Sequence, residues 1–263
     1  VQVLIGGVLC FVLVVFGLWT TKAWKQRIER GRMVERVARA NGFTYQATAG
    51  GGLFRVPFEL FRQGDGRGAE NLVAGTAPDG AAVQVFDFYF YEEQEQQHAD
   101  LFAGLGQDDE AAAAPRTYHW STCCTTELDV VCPPTTIERK GAVLRALGAV
   151  GLRSMEFESE AFNRMFLVSS EDAEFLRHLI TPGMMDLLLG TEGKVRFELR
   201  GRWLLAALDR SDVTPDLFLS LVGLNTELRR RLPPILATMT TPLPPPGLEV
   251  LPNLRLPEDR RPT

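Results

Sequence analysis

Histidine and cysteine are scarce in this chain of 263 residues, at three and four respectively. Such low numbers leave no material for a disulfide-dense scaffold or for several metal centres. Surplus positive charge is also missing, since 28 Lys and Arg stand against 33 Asp and Glu. That balance argues against nucleic acid as the main partner. Glycine-rich stretches occur, "GDGR" at Gly64 to Arg67 and "AGGGL" at Ala49 to Leu53. Neither has the strand, loop, helix and lysine context of a phosphate loop, so both read as turns. Charge of either sign is absent from Val1 to Thr21, and this gap is the most informative of all.

Within it, the seventeen residues "VLIGGVLCFVLVVFGLW" (Val3 to Trp19) are long enough, at about 1.5 Å each, to cross most of a roughly 30 Å hydrocarbon core. A secretory signal would carry positive charge before the apolar run and small residues at a cleavage site after it. Here the basic residues follow instead: Lys22, Lys25, Arg27, Arg30 and Arg32, with Trp19 and Trp24 placed for an interfacial aromatic belt. Lys and Arg beside a span stay on the cytoplasmic side. The expectation is a single-pass transmembrane helix over residues 1–21, anchored in the bilayer through Trp19, Lys22, Trp24, Lys25 and Arg27, with the globular part cytoplasmic.

Residues 22–42 read as a basic juxtamembrane helix, a stalk with Ile28, Val34, Val37 and Ala38 loosely on one side and Asn41-Gly42 as its stop. Its charge would attract anionic headgroups at the inner leaflet. Residues 43–240 read as one globular domain. Strands are expected at "NLVAGTA" and "AAVQVFDFYFY" around the turn Pro78-Asp79-Gly80, and at Tyr118 to Val131, ended by Pro133-Pro134. "TTIERK" reads as a short strand, "AVLRALGAVG" as a short helix, and "KVRFELRGRWLLAALDR" as a hairpin about Arg200-Gly201. Ser169 or Ser170 is expected to cap the helix that follows, and Leu217, Phe218, Leu221, Val222, Asn225 and Leu228 share one face of an amphipathic helix closed by Pro233-Pro234. Residues 92–116 carry seven acids without apolar periodicity and read as a mobile acidic loop, and residues 241–263 as a Pro-rich disordered tail. Strand runs with peripheral helices, lacking βαβ alternation, give an α+β fold on an antiparallel sheet.

The blocks "PFELFRQGDGRGAENLVAGTAPDGAAVQVFDFYF", "MEFESEAFNRMFLV" and "LITPGMMDLLL" resemble an uncharacterised family of membrane-anchored actinobacterial proteins, over roughly residues 41–235. The resemblance implies one domain behind an amino-terminal anchor, and Pro57, Phe58, Asn71, Gly75, Phe86, Asp87, Glu158, Phe162, Asn163, Arg164, Met184 and Met185 match its pattern. It implies no activity or ligand. The acidic loop and the cysteines depart from the pattern.

Chemistry could reside in three places. His119, Cys123, Cys124 and Cys132 form H-x3-C-C-x7-C, but strand alternation divides them between two faces, so zinc is not expected and the thiols read as reduced packing groups. No cofactor is expected either. A hairpin pairing Tyr91 with Thr117 would set Tyr89 against His119 and Asp87 against Ser121, placing Asp87, Tyr89 and His119 on one surface as acid/base candidates. Glu158, Asn163 and Arg164 read as a cluster that holds a turn. The reading that these residues favour is a membrane-tethered domain that binds a protein partner or organises the inner leaflet. The alternatives are an enzyme centred on Asp87 and His119, and a binder of lipid or another small amphiphile walled by Phe54, Phe58 and Phe61.

Overall fold

The alternation of "VQVFDFYFY" makes a strand apolar on both faces, and such a strand must be covered on both. The computed structural model describes residues 25–93, 115–140, 153–209 and 214–237. The uncharged run with Trp19, Lys22 and Trp24, most of the acidic loop, the short helix read at 142–151 and the Pro-rich tail all lie outside them. No helix among the described residues is long and apolar enough to cross a membrane.

A helix over residues 25–40, α1, leads into β1 (Thr44–Thr48), β2 (Gly66–Thr76), β3 (Ala82–Glu93) and β4 (Arg116–Arg139). Then come β5 (Arg153–Ser154), α2 (Glu160–Met165), β6 (Phe166–Ser170), α3 (Ala173–Leu179), α4 (Pro182–Leu189), β7 (Val195–Asp209) and α5 (Pro215–Arg230). The sheet is antiparallel throughout, in the order β1-β2-β3-β4-β6-β5, with β7 along β4. The class is α+β.

Several local expectations hold. The β2–β3 turn is closed by Gly80, at φ 87°, donating its N–H to Ala77 O at 2.9 Å, while Asp79 accepts from Ala81 N–H. In α5, Phe218, Leu221, Val222, Asn225 and Leu228 are all buried. Others do not hold. β4 continues through Pro133-Pro134 for 24 residues, because the prolines sit between the end of its ladder with β3 at Thr126 and the start of its ladder with β6 at Thr135, where no N–H is needed. Arg200-Gly201 makes no hairpin either. β7 is one strand that tracks β4 from Asp209↔Ser121 to Phe197↔Ile137, and Gly201, at φ 57°, absorbs the bend opposite Cys132. Asp172, not a serine, caps α3 by accepting from the N–H groups of Glu174 and Phe175 at 2.9 Å.

Two apolar clusters flank the sheet. One face packs Val73, Val83, Val85, Cys124 and Leu204 beneath α1 to α5, which contribute Val34, Ala38, Phe162, Leu176, Met184 and Phe218. The other buries Phe86, Phe88, Phe90, Cys123 and Leu205 under residues 49–61, whose Phe54, Phe58 and Phe61 close over them. That Phe-rich cover is pinned at its carboxyl end from two sides. Glu198 on β7 accepts from the N–H of Glu59 at 2.5 Å and of Leu60 at 2.9 Å, and Arg67 on β2 donates to Phe61 O. Burial pushes the Glu198 carboxyl above its ordinary range, opposed by Arg196 and the two N–H groups.

Candidate functional site

The groups with most chemical potential lie where α1 crosses β2, β3 and β4. Asp87 points to the helix-covered face and is 2% exposed. Arg30 of α1 grips it with both arms, Nε to Oδ2 and Nη2 to Oδ1, each at 2.6 Å. The same Nη2 donates to Thr122 Oγ1 at 2.9 Å, and that hydroxyl in turn donates to Asp87 Oδ1 at 2.8 Å. Asn71 Nδ2 donates to Oδ2 at 2.9 Å, while Asn71 Oδ1 accepts from the Tyr45 hydroxyl at 2.9 Å. Burial first, then the negative charges of Glu35, Glu70 and Asp87, raise the Tyr45 phenol above its ordinary value, so it stays a donor. One turn before Arg30, Arg27 Nε meets Glu70 Oε2 at 2.5 Å.

Local backbone geometry makes this convergence possible. The register between β2 and β3 shifts between Glu70 and Val73, and Asn71 within that bulge takes φ 55°. Asparagine tolerates this left-handed conformation better than most side-chain-bearing residues. Its amide thereby reaches Asp87 in the next strand. Gly31 lets α1 approach closely: a Cβ there would stand 3.2 Å from both Asn71 Oδ1 and the Tyr45 hydroxyl oxygen. Asn71 and Asp87, both matched by the sequence resemblance, thus meet in one network.

The arrangement is a lock. Four donors from Arg30, Thr122 and Asn71 occupy the two Asp87 oxygens, which leaves no accessible basic lone pair for proton abstraction. The bidentate, largely desolvated pair instead fixes α1 against the sheet. The helix read as a stalk is therefore part of the domain. Two of its five leading basic residues face sheet carboxylates, and Val34 and Ala38 enter the core. Arg27, expected at the headgroups, pairs with Glu70 while its side chain stays 51% exposed.

His119 does not join Asp87. The hairpin pairs Tyr91 with Tyr118, Tyr89 with Trp120, Asp87 with Thr122 and Phe90 with His119. This differs by one residue from the expected register, and one residue reverses the face. His119 stacks on Phe90 with ring centroids 4.7 Å apart, across the sheet from Asp87. An acid/base group of Asp87, Tyr89 and His119 is thereby ruled out by geometry. Phe54, Phe58 and Phe61 give no open wall either. Phe54 and Phe58 meet Phe61 edge-on at 5.3 and 5.5 Å, and Phe61 sits 4.9 Å from Phe88.

Cys123 and Cys124 turn to opposite apolar clusters, and with Cys132 all three are free and buried. Burial pushes the Cys124 and Cys132 thiols up to about 12. Among the described residues no group of three His, Cys, Asp or Glu is placed to hold a metal ion. Asn163 does hold a turn, through the backbone of Phe157: it donates to Phe157 O at 2.6 Å and accepts from Phe157 N–H at 2.9 Å.

The sequence reading missed Arg30, Glu70 and Thr122 as site residues. Arg30 does carry a signal, since it precedes Val34 and Ala38 by one and two turns in the same stripe.

No protein-family model matches the chain, and the search of curated proteins gave no match. Among solved structures, the crystal structure of the mycobacterial trehalose monomycolate transport factor A, TtfA, is similar in fold, with a TM-score of 0.50 and 19% identity over 78% of this chain and 96% of that one.

Proposed function

We propose that this chain is a membrane-tethered, non-enzymatic domain that holds a partner protein at the inner leaflet, its globular part cytoplasmic. The observation that carries this reading is the Arg30–Asp87 lock. It joins the segment directly after the uncharged run to the middle of the sheet, as suits a domain whose position matters, and it consumes the carboxylate best placed for chemistry. Basic α1 supports the same reading, because basic residues next to a span favour the cytoplasmic side. The similarity in fold to a transport factor is compatible with a role in binding and positioning.

The test is a reporter fused to the carboxyl terminus, active only in the cytoplasm, combined with crosslinking and capture of the chain from its own membrane. Cytoplasmic activity with one reproducibly captured protein, lost in Asp87→Ala, is the expected result. A reporter active only outside, or a chain recovered in the soluble fraction, would overturn the reading.

A further inference from the structure

The chain has sixteen Phe but only four Tyr and four Trp, and they are distributed differently. Phenylalanine fills the two apolar clusters. Three of the four tyrosines, Tyr89, Tyr91 and Tyr118, gather with Trp120 on one face at one end of the β3–β4 hairpin. Tyr89 lies 4.7 Å from Trp120 and 6.0 Å from Tyr118, and Tyr91 lies 5.5 Å from Tyr118. Tyr118 is 49% exposed, and Arg116 stacks over Tyr91 at 4.6 Å. Rings with one polar end and a guanidinium among them match a membrane interface better than a core or a solvated face.

The direction of α1 aims this end at the uncharged run. Arg27 pairs with Glu70, Gly31 approaches Asn71, and Phe43, just beyond the helix, packs on Gly75, so α1 runs alongside β2 with its first turn nearest the tyrosines. Tyr89 lies within the field of Arg27. Arg27 stands only six positions after Thr21, the last of the uncharged run. Whatever its conformation, that length of chain spans at most about 21 Å. The basic groups at the patch are already paired, Arg27 with Glu70 and Arg116 with Glu93, and Glu92 beside them is 61% exposed, so attraction to anionic lipid is not what the site offers.

Resting on the tethering proposed above, we infer that exposed Tyr118 and half-buried Trp120 and Tyr89, backed by the buried Tyr91, dock into the headgroup region of the bilayer, so that the β3–β4 hairpin end faces the membrane and the opposite end of the sheet faces away. The occupant is the interface of a zwitterionic bilayer. The uncharged run delivers the patch to it, and Tyr118 and Trp120 sink into it.

The test uses the full chain in phosphatidylcholine vesicles whose acyl chains are brominated near the headgroup, with each of Trp19, Trp120 and Trp203 in turn as the only tryptophan and the others replaced by Phe. Trp203 is the control, since it faces Glu127 on β4, nine residues and about 30 Å of strand from Tyr118. Expected are a quenched Trp19, a Trp120 emission lowered about twofold or more, and an unquenched Trp203. Adding Tyr118→Asp to the Trp120 chain should restore most of that emission. A quenched Trp19 beside an unquenched Trp120 leaves the anchor standing and overturns the docking. An unquenched Trp19 overturns both. Trp120 quenched only after residues 94–114 are replaced by a short Gly-Ser linker would make the chain's own loop the occupant and also overturn the proposal, as would equal quenching of Trp203.

Discussion

Asp87 accepts from Arg30, Thr122 and Asn71 at 2.6 to 2.9 Å, and losing either member of the Arg30–Asp87 pair leaves the other's charge without compensation beneath α1. Arg30→Ala or Asp87→Ala should each lower stability by about 3–5 kcal/mol, read as a drop in the urea midpoint. Replacing both together by Met and Leu should cost less than either alone, because no unpaired charge then remains. The cysteines make a second case. Their thiols ionise near 9 in an unfolded chain but only near 12 for Cys124 and Cys132 in the fold. A raised folded-state value means that this contribution is fully present below about pH 9 and is lost as pH climbs toward about 12. Urea midpoints should therefore fall across that alkaline window, and a Cys124→Ala/Cys132→Ala chain should show a flatter fall. Thiol reagents should leave Cys123, Cys124 and Cys132 unmodified until the protein unfolds.

At the level of elements, the contact between Phe43 and Gly75 decides how α1 hands over to β1. A Cβ at Gly75 would fall inside the Phe43 ring. Gly75→Ala should therefore expel that ring and speed amide exchange in α1 and β1 while α5 stays protected. Elements with a strong local signature were legible in the sequence. Pro78-Asp79-Gly80 announced a turn, the α5 stripe announced a buried face, and strand alternation separated Cys123 from Cys124. What could not be read depended on neighbours distant in the chain. Pro133-Pro134 reads as a stop unless one knows that β3 has ended and β6 has not begun, and Arg200-Gly201 reads as a turn unless β4 bends beside it. The register of β3 with β4 is set by side chains meeting across 23 or more positions, so counting from an assumed loop slips by one and turns His119 to the wrong face. In α1, a high density of arginine hid the fact that Arg27 and Arg30 sit on the buried side.

For the whole molecule, the sheet is covered by helices on one face and by the Phe-rich segment on the other, and α1 belongs to the first layer. A chain beginning at residue 25 should keep the fold, whereas one beginning at residue 43 should expose Val73, Val83 and Val85 and self-associate. Circular dichroism with light scattering separates the two. The α+β architecture was visible from composition and spacing. The integration of α1 was not, because a basic segment after an uncharged run reads equally well as a stalk.

The lock beneath α1 also has a history within each molecule's synthesis. Arg30 leaves the ribosome 57 residues before Asp87 and 92 before Thr122. During that interval Arg30 has neither of the oxygens that receive it in the fold, although Glu70, the partner of Arg27, is made earlier. Arg30 is locked only once β3 and β4 have been translated, so the docking of the amino-terminal helix is completed by strands made much later.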